Sequence, residues 1–201
     1  MKRRYGVEIS THAPRIAYKE TVQRASEGHH RHKKQSGGRG QFGEVYLRVE
    51  PLPRGAPDPL DYVDDVVGGA IPRQFIPAIE KGIRQKMAEG VVAGYPVVDV
   101  RASVYDGKYH DVDSKEIAFV IAGRNAFADA IHKARPVLLE PVVTLEIEIP
   151  SRFMGDITSD LNTRRARITG MDSAGDTQII RAQAPLAEMQ TYSTQLRSIT
   201  A

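Results

Sequence analysis

The hydrophobic spacing of this chain switches between a period of two and a period near 3.6, and the whole series starts again after Pro136. That restart confines the chain to two successive units, each mixing helices and strands. In the first, residues 15–25 (RIAYKETVQRA) predict a strand, and 42–50 (FGEVYLRVE) predict another, with Phe42, Val45, Leu47 and Val49 set against Tyr46. The basic, glycine-rich stretch 26–41 between them reads as a loop, and four prolines make 51–59 a turn. Asp61–Val67 reads as a short strand closed by Gly68 and Gly69. Pro72 suits the first turn of a helix carrying Ile76, Ile79, Ile83 and Met87 on one face, with Gly90 as its stop. Residues 91–105 predict a strand, and 106–113 a polar loop with an Asp-Gly turn signal. Ser114 is placed to cap a second helix, with Ile117, Val120, Ile121, Phe127 and Ile131 inward and Pro136 at its end.

The second series runs as a strand (141–149), a helix (151–164, with Phe153, Ile157 and Leu161 inward), a hairpin and a last helix. The hairpin spans Ile168 to Ala182 and turns at Ser173–Asp176; the helix covers 186–199 with Met189, Tyr192, Leu196 and Ile199. This β-α-β-β-α order is a ferredoxin-like plait lacking its last strand, so the fold class is α+β, with a boundary near 137–141. No internal repeat is present.

Composition removes several chemistries. The 201 residues include no cysteine, which excludes disulfide scaffolds, cysteine-ligated zinc and thiol nucleophiles. No apolar run approaches the roughly 20 residues of a membrane helix, and MKRRYGVEIS has no apolar core behind its charges, so a soluble cytoplasmic protein is expected. The net charge of +3 hides an asymmetry: residues 1–48 hold eleven Lys and Arg against four Asp and Glu. The sharpest part is HHRHKKQSGGRGQ (29–41), where Arg31, Lys33, Lys34 and Arg39 stand beside three histidines and no acid. Such a run is either a solvated face or a polyanion contact, since clustered cations gain affinity by releasing phosphate counterions.

The catalytic motifs fail on context. GRGQFGEV (38–45) fits both the dinucleotide and the kinase glycine patterns. A dinucleotide fingerprint opens a helix, whereas Gly43 leads into a strand pattern; a kinase needs H-R-D and D-F-G, and neither occurs. There is no G-x-x-x-x-G-K-[ST]. His29, His30 and His32 lack a companion metal motif, Asp106, Asp111 and Asp113 miss the calcium-loop pattern, and no triad frame is present. No catalytic site and no metal are therefore expected in this chain.

Two polar loops remain, Ser36-Gly37-Gly38-Arg39-Gly40-Gln41 and Asp106-Gly107-Lys108-Tyr109-His110-Asp111. Brought to one end of a sheet, they would present cations, an amide, an imidazole and a ring, a mixture suited to RNA. Ordinary hairpin turns account for the same residues equally well.

Several strings resemble elongation factor G, the translocation GTPase of bacterial translation. They are QSGGRGQFGEV (35–45), VGGAIPRQFIPAIEKGI (67–83), AGYPVVDVRASVYDGKYHDVDS (93–114), PVLLEPV (136–142), MGDITSDLN (154–162) and PLAEMQTYSTQLRSIT (185–200). The resemblance implies that 1–10 are the tail of domain III, 11–138 a ribosomal-protein-like, tRNA-mimicking domain IV, and 139–201 a ferredoxin-like domain V stopping before its final strand. It implies a monomer without membrane contact whose partners are small-subunit decoding-centre rRNA, the tRNA–mRNA duplex and the large-subunit factor-binding region. GTP and magnesium would belong to the full-length GTPase and no cofactor to this chain. His110 and Gln41 inherit the tip contacts with the duplex, and Arg39, Tyr109 and Lys108 the neighbouring ones, with Ser36, Gly37, Gly38, Gly40 and Asp111 in the same loops and Lys33 and Lys34 beside them. Arg164 and Arg165 are implied contacts of domain V. HHRHKK (29–34) is more basic and resembles an elongation-factor-G-like paralogue, so translocase, paralogue and a stand-alone RNA-binding module all remain open.

Overall fold

The computed structural model describes residues 14–35 and 40–200, and these fall into two compact units, Tyr18–Leu139 and Glu140 onward together with residues 14–17. The expected domain III tail lies outside the described residues.

In the first unit, β2 (Ser26–Lys34), β3 (Gln41–Pro51), β5 (Val100–Lys108) and β4 (Leu60–Asp64) lie side by side in that order. The β2-β3-β5 pairings are antiparallel and β4 runs parallel to β5. A separate ribbon pairs β1 (Lys19–Val22) with β6 (Pro136–Leu139). Two helices, α1 (Ile76–Glu89, entered through a 3₁₀ turn at Arg73–Phe75) and α2 (Glu116–Lys133), cover one face of the sheet. The period-two positions Val45, Leu47 and Val49 of β3 and Val100, Ala102 and Val104 of β5 are buried against Ile79, Ile83 and Met87 of α1 and Phe119, Phe127 and Ile131 of α2. Because α2 drives that burial, its distance from the sheet matters. A Cβ on Gly28 of β2 would overlap the Ala126 carbonyl oxygen and lie 2.7 Å from Ala130 Cβ, so helix and strand approach closer than any side chain permits.

The structure corrects the expected loop at 26–41. Its first nine residues form β2, paired in register with β3 from Ser26↔Val49 to Lys34↔Gln41. As the edge strand of the sheet, β2 carries polar and charged side chains on both faces, which hides its period while blunting the edge against further pairing. Four other strand expectations move as well: the Asp-Gly loop expected from 106 is instead the end of β5, where Asp106, Gly107 and Lys108 pair with Tyr46, Val45 and Glu44. The first strand spans only Lys19–Val22, the third Leu60–Asp64, and β6 forms where the sequence suggested only a helix end.

The apolar run 91–98 is not a strand either. Gly90 (φ 81°) and Gly94 (φ 78°) break its extended path, and Glu20 organises it instead. The Glu20 side chain is buried, and its carboxylate accepts four backbone N–H bonds, from Val91 (2.8 Å), Val92 (3.0 Å), Ala93 (2.7 Å) and Tyr95 (3.2 Å). Burial alone pushes this carboxyl up, but the four amides outweigh it and hold it below the ordinary range.

The second unit is a three-stranded antiparallel sheet ordered β7 (Val142–Pro150), β9 (Thr177–Pro185), β8 (Arg167–Ala174). α3 (Met154–Thr163, behind a 3₁₀ turn at Ser151–Phe153) follows β7. The expected single C-terminal helix is two, α4 (Leu186–Met189) and α5 (Tyr192–Ile199). Ile147, Ile149, Ile180 and Ala182 of the sheet pack with Ile157, Leu161 and Tyr192. The third strand in sequence lies between the first two, as in a ferredoxin-like plait with three of its four strands.

Three substitutions probe these contacts. Gly28→Ala is expected to lower stability by about 1–3 kcal/mol through overpacking, whereas Gly155→Ala, where a Cβ meets nothing within 4 Å, should be neutral or stabilising by up to about 1 kcal/mol; urea denaturation reads both. Glu20→Gln should cost about 2–3 kcal/mol at neutral pH, because it replaces a charged acceptor of four amides. Since the folded carboxyl titrates below its ordinary value of 4.5, that difference is complete above this value and shrinks as pH falls through the lower folded one. A difference unchanged between pH 7 and pH 3 would contradict the assignment.

Candidate nucleic-acid interface

The β2–β3 hairpin and the β5–α2 loop end at the same place. Ser36, Gly37, Gly38 and Arg39 lie outside the described residues, but both flanks of the hairpin are defined. Phe42 N–H donates to the Asp113 carbonyl (3.0 Å), and the Ser114 hydroxyl donates to the Phe42 carbonyl (2.9 Å). A Cβ on Gly40 would sit 2.8 Å from the Asp113 carboxyl carbon, so the second loop lies directly against the hairpin. Ser114 therefore does not cap α2, which starts behind Lys115 with no side-chain cap. Its hydroxyl bridges the loops instead, accepting the His110 N–H at 2.8 Å while bonding Phe42.

Within the second loop the chain winds around His110. The His110 carbonyl accepts the Ser114 N–H (2.9 Å), and its Nδ1 accepts the N–H groups of Val112 and Asp113 (3.3 Å each). The Phe42 ring meets the imidazole edge-on with centroids 6.4 Å apart. Lys108, Tyr109, His110, Asp111 and Val112 all face outward, as do Lys33 and Lys34 at the end of β2. Gln41 is half-buried, with its Oε1 3.0 Å from His32 Nε2. An amide oxygen only accepts, so His32 donates and the Gln41 NH₂ is left as the available group. One end of the first unit thus gathers three lysines, a phenol, an imidazole and an amide.

Residues 14–135 match the family model for elongation factor G, domain IV, and residues 137–201 match that for the elongation factor G C-terminus. The chain belongs to the elongation factor G family. It is 50% identical over its whole length to "Elongation factor G" of Aquifex pyrophilus and 49% identical to that of Petrotoga mobilis, of which it covers 28% and 29%. It also superposes on a crystal structure of a Thermus thermophilus protein with a TM-score of 0.82 at 41% identity, over 98% of this chain and 29% of that one. The chain therefore spans under a third of the length of the curated relatives it matches.

Within this family member, Gly40 and Gly43 of the pattern at 38–45 are accounted for by packing. Gly43 lies inside β3, where a Cβ would be 3.2–3.3 Å from the α2 backbone at Ala118 and Phe119. The basic run also resolves into individual roles. Arg31 Nε sits 3.0 Å from Oε2 of Glu44, a fully buried carboxylate that also bonds His29 Nε2 (2.7 Å) and the Tyr46 hydroxyl (3.2 Å). Burial pushes the Glu44 carboxyl up, and Arg31, His29 and Tyr46 together reverse this and hold it below the ordinary range. His29 stacks on Tyr46 at 4.1 Å, His30 meets Asn125 at 3.2 Å and His32 meets Gln41, so the three histidines go to separate partners. Burial, then the neighbouring His32 and His29, pull His30 down from its ordinary value. No sequence motif marks Glu44. Its signal was there: an acid at an alternating position of β3, opposite the cationic strand before it.

Arg164 and Arg165 do not stand as open cations. Arg164 pairs with Asp160 (2.8 Å), donates to the Glu188 carbonyl (2.9 Å) and lies 5.1 Å from the Tyr192 ring centroid. Arg165 forks onto Glu140 (2.7 and 3.1 Å) and reaches Glu188 (3.1 Å). The two arginines hold the end of α3 to residues before β7 and on α4; Asp160 is an i,i+4 neighbour of Arg164 on the same helix, whereas Glu140 and Glu188, the acids of Arg165, lie too far along the chain to be paired with it by reading sequence.

Ser114→Ala removes the hydroxyl that joins the loops. It is expected to cost about 1 kcal/mol and to speed hydrogen exchange of the His110 amide, while exchange at Val45 and Leu47 in the core of β3 stays unchanged.

Proposed function

We propose that this chain is the ribosome-binding part of an elongation-factor-G-type translation GTPase, and that the tip of its first unit enters the decoding centre and promotes tRNA–mRNA translocation. The observation that carries this reading is the joining of the two loops through Phe42, Asp113 and Ser114, which sets Gln41 and His110 at one end beside Lys33, Lys34 and Lys108. The lysines suit phosphates, Tyr109 offers a ring for stacking, and the amide and imidazole suit polar atoms that carry no charge. Ribosomal RNA and the tRNA–mRNA duplex are the partners this chemistry fits, with the second unit directed to the large subunit and the protein acting as a cytoplasmic monomer. GTP and magnesium belong to other parts of the whole protein, because these 201 residues contain no phosphate-binding G-x-x-x-x-G-K-[ST] sequence.

Lys33→Ala combined with Lys108→Ala tests the reading by ribosome co-sedimentation across a salt series. Affinity at low salt is expected to fall about tenfold, and the slope of log K against log salt to become shallower by about 1–2, at roughly 0.7–0.9 for each phosphate no longer neutralised. An unchanged slope would overturn the assignment of these lysines to phosphate contacts.

A further inference from the structure

Resting on the reading above, the geometry points to a finer assignment: the loop backbone locks His110 as an uncharged Nε2–H donor, so its partner on RNA is a hydrogen-bond acceptor and the contact is not an ion pair with phosphate. Two backbone amides, Val112 N–H and Asp113 N–H, both aim at His110 Nδ1 from 3.3 Å. A backbone amide only donates, so the nitrogen it meets must offer a lone pair and carries no proton. The ring's one N–H is then on Nε2. Oδ2 of Asp113 lies 3.9 Å from the same Nδ1, beyond hydrogen-bond reach, so the amides and not this carboxylate set the tautomer.

The ring is also held in place. The backbone N–H of His110 is bonded to Ser114 Oγ, the His110 carbonyl to Ser114 N–H, and Phe42 stands edge-on to the imidazole. The side chain is 57% exposed, and Nε2 has no partner among the described residues, so the donor is presented outward. A second neutral donor, the Gln41 amide whose oxygen is held by His32, stands on the strand that the same loop is bonded to. A ring fixed in orientation and tautomer loses little freedom on binding, and it discriminates by leaving its donor unpaired against the wrong atom.

The test uses the 201-residue chain with ¹⁵N-labelled histidine. Two-bond proton–nitrogen correlation spectra at neutral pH, assigned by loss of the signal in His110→Gln, are expected to show Nδ1 unprotonated and Nε2 protonated. A spectrum showing Nδ1–H or an imidazolium overturns the inference whatever binding does. Ribosome co-sedimentation supplies the second readout. His110→Gln keeps an N–H donor near the ε position and should bind within about threefold of the parent, while His110→Met, of similar length without a donor, should bind about five- to tenfold more weakly. If both variants bind like the parent while the lysine pair still lowers affinity, the donor role fails and the proposed function stands. If the lysine pair is also without effect, the proposed function fails with it.

Discussion

The first unit is organised by how closely α2 lies on the sheet. Its backbone reaches β2 and β3 where Gly28 and Gly43 leave no Cβ in the way, nearer than any side chain would allow at Gly28. That approach fixes the helix relative to β3, and the loop before the helix has little choice of path. Asp113 and Ser114 directly precede Lys115 and α2, and Phe42 directly precedes Gly43. Seating the helix over Gly43 therefore brings Asp113 and Ser114 beside Phe42, where backbone and hydroxyl bonds close the gap. The tip is thus a consequence of core packing, and its geometry depends on buried residues beneath it.

Electrostatics follow the same division between framework and tip. Glu20 and Glu44 are both fully buried carboxylates held below their ordinary range, by different means. Glu20 takes four backbone amides and shapes the segment after α1. Glu44 gathers side chains across the β2–β3 ladder and takes Arg31 out of the pool of free cations, with His29 bonded to the same carboxylate. The basic run at 29–34 is therefore partly internal chemistry. Lys33 and Lys34, which make no ion pair with Glu44, are cations it leaves at the tip among the described residues, joined there by Lys108.

What could be read from the sequence was whatever repeated with a clean period on one buried face. β3 announces itself through Val45, Leu47 and Val49, and α1 through Ile76, Ile79, Ile83 and Met87, because their partners are apolar whichever element supplies them. β2 does not, since an edge strand dressed with His, Lys and Arg on both faces has no apolar period to detect. The run 91–98 misleads in the opposite sense: it is apolar enough for a strand but is bent by Gly90 and Gly94 around a carboxylate some seventy residues earlier. The loop residues of the candidate site were legible as residue types, and the bonds that join the loops were not, because a serine before a helix reads as its cap. Arg165 shows the same limit, since nothing local distinguishes a cation with distant acids, Glu140 and Glu188, from one without.

The route from core to solvent is short. α2 sets Ser114 against β3, Ser114 sets the His110 backbone, and the two amides that follow set the imidazole, so that a packed helix is connected to a single exposed N–H. Each link is a hydrogen bond within the loop or to its neighbouring strand, which leaves little room for the ring to drift. Lysines on flexible stems act over a Debye length of about 8–10 Å and tolerate imprecision, whereas a neutral donor acts only within about 3 Å and gains from being held still. The tip places both kinds of group side by side: exposed lysines, and the side chains of His110 and Gln41, each held by hydrogen bonds to the framework beneath them.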